Sequence, residues 1–189
     1  MDLSKFKTSD WLKVGGAGLF LIFGFFDWIN VEFQGISGGG GGNVFDFFWT
    51  GILPWLLVIA VAVVTVLLLT GTMKPGNLPW PLIMLGATAI AALLLLIRVI
   101  FNPLEGKDFI EASGGSVGRG IGMIMSALGG VLAFVGAFLG FKESGGDFND
   151  LKDMNKMKAS FGGTSGGGSP PPPPPGMTPP PPPPPPPMA

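Results

Sequence analysis

The sequence contains no cysteine, no histidine and no tyrosine. Without cysteine and histidine there is no disulfide, no thiolate nucleophile and no imidazole proton relay, and the usual zinc and haem ligands are missing. Charged side chains make up only 12% of the residues, about half of the share in a typical soluble domain. The net charge of −1 predicts no broad attraction to nucleic acid. These absences exclude most catalytic and metal-binding chemistry.

The remaining polar residues show no pattern of a catalytic, cofactor-binding or metal site. Asp108 and Glu111 lie close together in the sequence, but their spacing is typical of solvated loop charge rather than of a metal site. The Gly-rich stretch 114–122 lacks the Gly-Lys-Ser/Thr ending of a nucleotide-binding loop. We therefore expect no catalytic residues, no cofactor and no metal, in a protein that is not an enzyme.

Four long apolar stretches dominate the chain. They cover residues 11–29, 52–70, 80–101 and 120–141. A helix rises about 1.5 Å per residue, so about 20 apolar residues cross the hydrocarbon core of a bilayer. Between Leu56 and Leu69 the only polar residue is Thr65, so this stretch lacks the polar face of a soluble helix. The pattern predicts an all-α, polytopic membrane protein with four transmembrane helices.

The tryptophans support these boundaries. Trp favours the headgroup level of a bilayer, where its ring is half buried and its N–H stays hydrated. All five lie at span ends or directly beside them: Trp11, Trp28, Trp49, Trp55 and Trp80. We expect each of them at a membrane interface.

The distribution of basic residues predicts the orientation. Four spans place the N-terminus (residues 1–10), the turn 71–79 and the C-terminus on one side. That side carries Lys5, Lys7, Lys13, Lys74, Lys142, Lys152, Lys156 and Lys158, whereas the other side carries only Arg98, Lys107 and Arg119. Because basic loops stay in the cytoplasm, both termini are expected there, in a plasma membrane of the bacterial type.

Two connecting segments have their own signals. The turn 71–79 is short and contains Pro75-Gly76, so spans two and three should be antiparallel neighbours. The first outer loop contains five consecutive glycines, Gly38 to Gly42. The aromatic segment after it, residues 43–49, favours a short helix in the outer membrane interface. An irregular aromatic-rich loop is the alternative.

The C-terminal part changes character twice. In residues 142–161 an apolar residue recurs every three or four positions, at Phe148, Leu151, Met154, Met157 and Phe161. This spacing favours an amphipathic helix on the cytoplasmic membrane surface, with a frayed linker as the alternative. Residues 162–189 are a Gly/Ser spacer followed by the proline runs 170–175 and 179–187. We expect this tail to be disordered and extended as polyproline II.

The fourth span carries a stripe of small residues, referred to below as the small-residue stripe. It consists of Gly122, Ser126, Gly129, Ala133, Gly136 and Gly140. Small residues at this spacing let two helix backbones approach closely in lipid. The stripe predicts either a homo-oligomer through the fourth span or internal packing against the first or second span. Internal packing is favoured, because four helices must first pack against each other.

Two ionisable residues, Asp27 and Arg98, lie inside apolar runs at matching depths near the outer edge. Each side chain can reach the headgroups, as such residues often do. The sharper hypothesis is an ion pair that joins spans one and three, with Arg119 as a rival partner for Asp27.

The tail and the bundle together favour a non-enzymatic membrane adaptor or scaffold. Aromatic grooves bind polyproline readily, because its conformational entropy is already low. The tail would therefore engage or space a cytoplasmic protein partner, while the bundle resides in the lipid bilayer. The alternative is a small oligomeric permeation or accessory transport subunit.

The Lys5–Trp11 start, the Gly118-Arg119-Gly120-Ile121-Gly122 entry to span four and the proline tail also carry a resemblance. In these features the chain resembles uncharacterised small four-span membrane proteins with proline-rich cytoplasmic tails from high-GC Gram-positive bacteria. The resemblance covers most of the chain and implies the four-span architecture. It implies no activity and no site residues.

Overall fold

The computed structural model describes residues 6–39, 41–74, 76, 78–101 and 107–146. These residues are mostly helical (70%). The elements in chain order are helix α1 (Thr8–Phe23), strands β1 (Ile29–Phe33) and β2 (Ile36–Gly39), a 3₁₀ helix (Val44–Asp46), a π-helix (Phe48–Ile52), helices α2 (Leu53–Leu69), α3 (Trp80–Phe101) and α4 (Lys107–Ala112), strand β3 (Gly115–Arg119) and helix α5 (Ile121–Glu143).

Three helices are long and apolar enough to cross a membrane. They are Phe48–Leu69, in which the π-helix continues into α2, Trp80–Phe101 and Ile121–Glu143. Their 22 or 23 residues correspond to roughly 33 Å at helical rise. Hydropathy therefore located these three predicted spans correctly, to within a few residues at each end.

The first apolar stretch differs from the prediction, because only its first part is helical. Helix α1 has 16 residues and ends at Phe23. The chain then turns, and Ile29, which was expected to end the span, begins strand β1. The turn is fixed by backbone hydrogen bonds from Val44 to the Gly24 carbonyl (3.0 Å) and from Trp28 to the Gly42 carbonyl (2.8 Å). A continuous helix over residues 11–29 is therefore wrong.

A three-stranded antiparallel sheet, in the order β2-β1-β3, is an addition to the expected all-α fold. Strand β1 pairs with β2 through a tight hairpin, in which Gln34 and Gly35 both have positive φ angles of 51° and 79°. This combination is typical of a type I′ turn, whose twist matches that of the strands. On the other edge of β1, Val31 lies opposite Val117 of β3. The sheet therefore connects the segment after α1 with the segment before α5.

The bundle core lies where α1, α2, α3 and α5 meet. Its largest fully buried side chains include Trp28, Phe20, Leu95 and Met123. Trp28 is 0% exposed and stacks between Phe20 and Phe47, with ring centroids 6.5 and 6.1 Å apart. Trp28 therefore lacks the half-buried ring that was expected of a tryptophan at a membrane interface, because the protein covers it completely. Trp49, in contrast, is 70% exposed.

In the aromatic segment before α2, the only part that forms a separate short helix is the 3₁₀ helix Val44–Asp46, and the π-helix from Phe48 onward is continuous with α2. Asn43 and Asp46 cap the 3₁₀ helix reciprocally. The Asn43 side chain accepts the Phe45 N–H (2.9 Å), and the Asp46 carboxylate accepts the Asn43 N–H (2.7 Å). The π-helix follows after Phe47. Reciprocal caps of this kind satisfy donors that a helix start otherwise leaves open.

Several predictions fall outside the described residues. These are the amphipathic helix beyond residue 146, the proline-rich tail, residues 1–5 and the Pro75 position of the inner turn. They stay predictions from the sequence. Helix α5 itself ends at Glu143, and the backbone then reverses at Gly145, whose φ of 82° a glycine adopts without strain.

Candidate functional site

A cavity with a polar and an apolar side lies at the end of the bundle where α1 begins and α5 ends, and we refer to it as the α1–α5 cavity. Its volume is about 400 Å³, which falls within the usual range of small-molecule sites. Its lining residues are Lys7, Ser9, Asp10, Lys13, Leu68, Leu69, Leu78, Trp80, Pro81, Met84, Ala137, Gly140, Glu143 and Ser144. The polar side is thus supplied mainly by α1 and the end of α5, and the apolar side by the α2–α3 hairpin.

A buried ion pair forms the polar wall of this cavity. Lys13 Nζ lies 2.8 Å from Asp10 Oδ1, and the two side chains are only 8% and 11% exposed. The other Asp10 oxygen accepts the backbone N–H of Lys7 at 3.2 Å, which caps the start of α1. The capping bond and the helix dipole both favour an ionised carboxylate at this position. Asp10 is therefore a fixed anion that holds the Lys13 ammonium.

Two glycines of α5 lie beside Lys13. A Cβ atom added to Gly140 would lie 3.4 Å from Lys13 Nζ. Along the same face, a Cβ atom on Gly136 would lie 2.7 Å from the backbone nitrogen of Lys13 and from the carbonyl oxygen of Ser9. The two helix backbones therefore touch at the cavity, and a larger residue at Gly136 would separate them.

A second polar contact ties the start of α1 to the end of α5. The Ser9 hydroxyl, which is 1% exposed, donates to Glu143 Oε2 at 2.9 Å. Lys7 Nζ lies 3.7 Å from the same carboxylate oxygen, but its side chain is 65% exposed. Exposed ion pairs contribute about 0–1 kcal/mol, whereas a buried hydrogen bond to a charged group contributes about 1.5–3 kcal/mol. Ser9 is therefore the stronger anchor of Glu143.

The small-residue stripe lies inside the bundle. Gly129 approaches Gly16 and Phe20 of α1, since its added Cβ would lie 2.6 Å from the Gly16 carbonyl oxygen. Gly122 packs in the same way against the carbonyls of Phe26 and Asp27. Ser126 and Ala133 are both 0% exposed. Together with Gly136 and Gly140 at the cavity, the stripe has the geometry of internal packing against α1. An oligomer built on this face would have to displace α1.

Asp27 and Arg98 do not form the predicted ion pair. The described residues contain three ion pairs, Lys7–Glu143, Lys13–Asp10 and Lys107–Glu111. Asp27 lies on the exposed connection after α1, and its carbonyl oxygen accepts the Gly122 N–H at 3.0 Å. Arg98 is 2% exposed, and its guanidinium carbon lies 3.7 Å from the centroid of the Phe47 ring, in a cation–π contact. The pairing fails because α1 ends before Asp27.

Arg119, the alternative partner predicted for Asp27, makes hydrogen bonds to α3 instead. Arg119 Nε donates to the Val99 carbonyl, and its Nη2 donates to the Ile100 carbonyl at 3.1 Å. These carbonyls belong to the last turn of α3, where helical acceptors have no partner within the helix. Arg119 therefore caps α3 from strand β3, and it couples the sheet to the bundle.

Sequence reasoning missed the polar wall of the cavity. It counted Lys13 among the basic residues of the cytoplasmic side and gave Asp10 no role. The available signal was the spacing of an acid and a base three residues apart, which lie on one face of a helix. Its burial could not be foreseen, since that depends on Gly140 of a helix more than 100 residues away.

The fold and the cavity define the class of protein. It is a mostly helical protein of the membrane type, with an amphipathic cavity at one end of its bundle. Within the described residues, no group of three or more acidic side chains could hold a metal ion. No protein-family model matches the chain, and no curated protein or solved structure is detectably similar to it.

Proposed function

We propose that the protein is a non-enzymatic membrane adaptor, in which the helical bundle anchors a proline-rich cytoplasmic tail that engages a protein partner. The observation that carries the proposal is the fixed end of α5. Ser9 holds Glu143, and the Gly136 backbone touches α1, so the last described helix is attached firmly to the bundle. Residues 147–189, with both proline runs, continue from this point.

The proposal includes α1 as a fourth span. Helix α1 and the turn after it run along α5 from Ser9, opposite Gly136, through Gly16, opposite Gly129, to Phe26, opposite Gly122. From residue 136 to residue 122 this contact covers roughly 21 Å at helical rise, about two thirds of the hydrocarbon thickness, which supports a crossing by α1 and the turn after it. Ile22 of α1 is 56% exposed, which supports contact of its outer side with lipid.

The same arrangement supports the membrane orientation that we propose for the protein. The start of α1 and the end of α5 lie at one end of the bundle, where Lys7, Lys13 and Lys142 cluster. By the rule that basic residues stay inside, this end faces the cytoplasm of a plasma membrane, and the sheet faces outward. The proline tail then begins on the cytoplasmic side.

The tail recruits its partner through polyproline geometry. The nine consecutive prolines 179–187 favour an extended helix with about three residues per turn, which aromatic grooves of recognition domains accept. Because this helix is preformed, little conformational entropy is lost on binding.

Photo-crosslinking of the full-length protein in its native membrane tests the proposal. A photo-crosslinking residue at position 188, in place of Met188, should capture specific cytoplasmic proteins, and this capture should be saturable. Replacing residues 179–187 with an Ala/Ser sequence of equal length should abolish this capture. Scrambling the Gly/Ser spacer 162–169 is the matched control and should leave it unchanged. Equal capture by the wild type and the proline-free variant would contradict partner recruitment.

The described packing does not favour the alternative of a permeation subunit. The core at the junction of the four helices is filled by fully buried side chains such as Val58, Ala91, Leu95 and Met123. All four are apolar, so this cluster itself offers no polar path, although Thr88, Arg98 and Ser126 are also buried in the bundle. A solute flux into vesicles that requires the protein would support the alternative.

A further inference from the structure

The Lys13 ammonium of the α1–α5 cavity has hydrogen-bonding capacity beyond its ion pair with Asp10. An ammonium carries three N–H donors. Among the described residues, the only polar partner of Lys13 Nζ is the Asp10 carboxylate. The residue is 7% exposed, so little water reaches it from outside the cavity. A buried donor without an acceptor is costly, so the arrangement favours a ligand that brings anionic oxygens to Lys13.

The charges of the lining restrict the kind of ligand. Two cations, Lys7 and Lys13, face two anions, Asp10 and Glu143, so the lining has no net charge. A ligand with a net negative charge would leave an uncompensated charge in a low-dielectric place. A zwitterionic ligand keeps the balance, with its anionic group at Lys13 and its cationic group at Glu143. Glu143 lies at the open rim, with 36% of its side chain exposed.

The opposite wall is apolar and therefore favours an amphipathic ligand. It is formed by Leu68, Leu69, Leu78, Trp80 and Met84 from the two ends of the α2–α3 hairpin. A small soluble zwitterion would leave this apolar surface exposed to water. The glycerol backbone and the first methylenes of a phospholipid would cover it, at a gain of about 25 cal/mol per Å² of apolar area.

We propose that the α1–α5 cavity binds the headgroup of a zwitterionic phospholipid with a primary ammonium, such as phosphatidylethanolamine. Lys13 donates to the phosphodiester, Glu143 receives the ammonium, and the α2–α3 wall covers the glycerol region. The inference is independent of the adaptor proposal, because it involves neither the tail nor a protein partner.

Native mass spectrometry of the full-length chain tests this site. The protein is released from nanodiscs that contain equal mole fractions of phosphatidylethanolamine and phosphatidylglycerol with identical acyl chains. We expect one phosphatidylethanolamine retained per chain in preference to phosphatidylglycerol. Inorganic phosphate, added in excess, should not displace it, because phosphate cannot use the apolar wall.

Two variants remove different parts of the site. Asp10→Asn combined with Lys13→Met removes both members of the ion pair, so no lone buried charge is left. Retention should fall about tenfold or more, as expected for the loss of a hydrogen bond to a charged group. Leu78→Trp fills the apolar side from a residue that is 51% exposed, and it should lower retention without changing any charge. Lys107→Met, in the α4 ion pair, is the matched control and should retain the lipid.

Three results would overturn the proposal. The first is equal retention of both lipids by the wild type. The second is displacement by inorganic phosphate, which would indicate a site for phosphate alone. The third is unchanged retention in Leu78→Trp, which also decides the matter if the double variant does not fold.

Discussion

At the residue scale, α1 and α5 approach each other closely through glycines. A Cβ atom on Gly16 would lie 2.5 Å from the Gly129 carbonyl oxygen, whereas one on the adjacent Gly15 would meet nothing within 4 Å. Without a hydrophobic driving force between helices in lipid, such close backbone approach is a main source of helix association. Gly16 is therefore required for the close packing of α1 on α5, whereas Gly15 is not.

Alanine substitution of these two glycines distinguishes packing from helix propensity. Gly16→Ala should lower the free energy of unfolding by about 1–3 kcal/mol, because the new methyl group collides with the α5 backbone. Gly15→Ala should leave stability unchanged or raise it. Unfolding in mixed detergent micelles, followed by tryptophan fluorescence, measures both. Equal effects of the two substitutions would show that α1 does not pack on α5 as described.

The Asp10–Lys13 pair makes a second prediction at this scale. Asp10→Asn leaves the Lys13 ammonium buried without its anion and should destabilise the protein by about 3–5 kcal/mol. Adding Lys13→Met should restore most of this loss. Glu111→Gln is the control, because Lys107 and Glu111 are 38% and 48% exposed, and it should cost about 0–1 kcal/mol. No rescue in the double variant would contradict the buried pair.

At the scale of elements, long apolar helices were predictable and the sheet was not. Hydropathy alone locates α2, α3 and α5, because a bilayer-spanning helix needs an uninterrupted apolar run. Strands β2 and β3 are short and rich in glycine, without apolar alternation. Their pairing with β1 joins residues that are more than 80 positions apart, such as Val31 and Val117. The end of α1 could not be predicted either, because it depends on the pairing of the following residues with distant segments.

The hairpin turn between β1 and β2 tests the sheet. Gly35→Ala places a side chain at a φ of 79°, which costs about 1–2 kcal/mol for a residue other than glycine. Hydrogen exchange at Val31 and Gly118 should become faster, while exchange in α5 stays unchanged. The matched variant Gln34→Gly relieves a positive φ at the neighbouring position and should not speed exchange. Identical exchange in both variants would contradict the type I′ hairpin.

At the scale of the whole molecule, the protein has two different ends. One end carries the sheet, the short helical turns and Arg119 over α3, and the other carries the α1–α5 cavity and the start of the C-terminal segment. Which side of a membrane each end faces depends on whether α1 crosses it. If α1 crosses the bilayer with the other three helices, both termini lie on the cavity side, and the cavity faces the leaflet next to the tail.

The sidedness of single introduced cysteines tests this arrangement most directly, because the natural chain has no cysteine. Thr8→Cys, Ser116→Cys and Lys142→Cys are all at exposed positions. A membrane-impermeant maleimide added to intact cells should label Ser116→Cys alone, and Thr8→Cys and Lys142→Cys should react only after lysis. Labelling of Thr8→Cys together with Ser116→Cys in intact cells would mean that α1 does not cross the membrane.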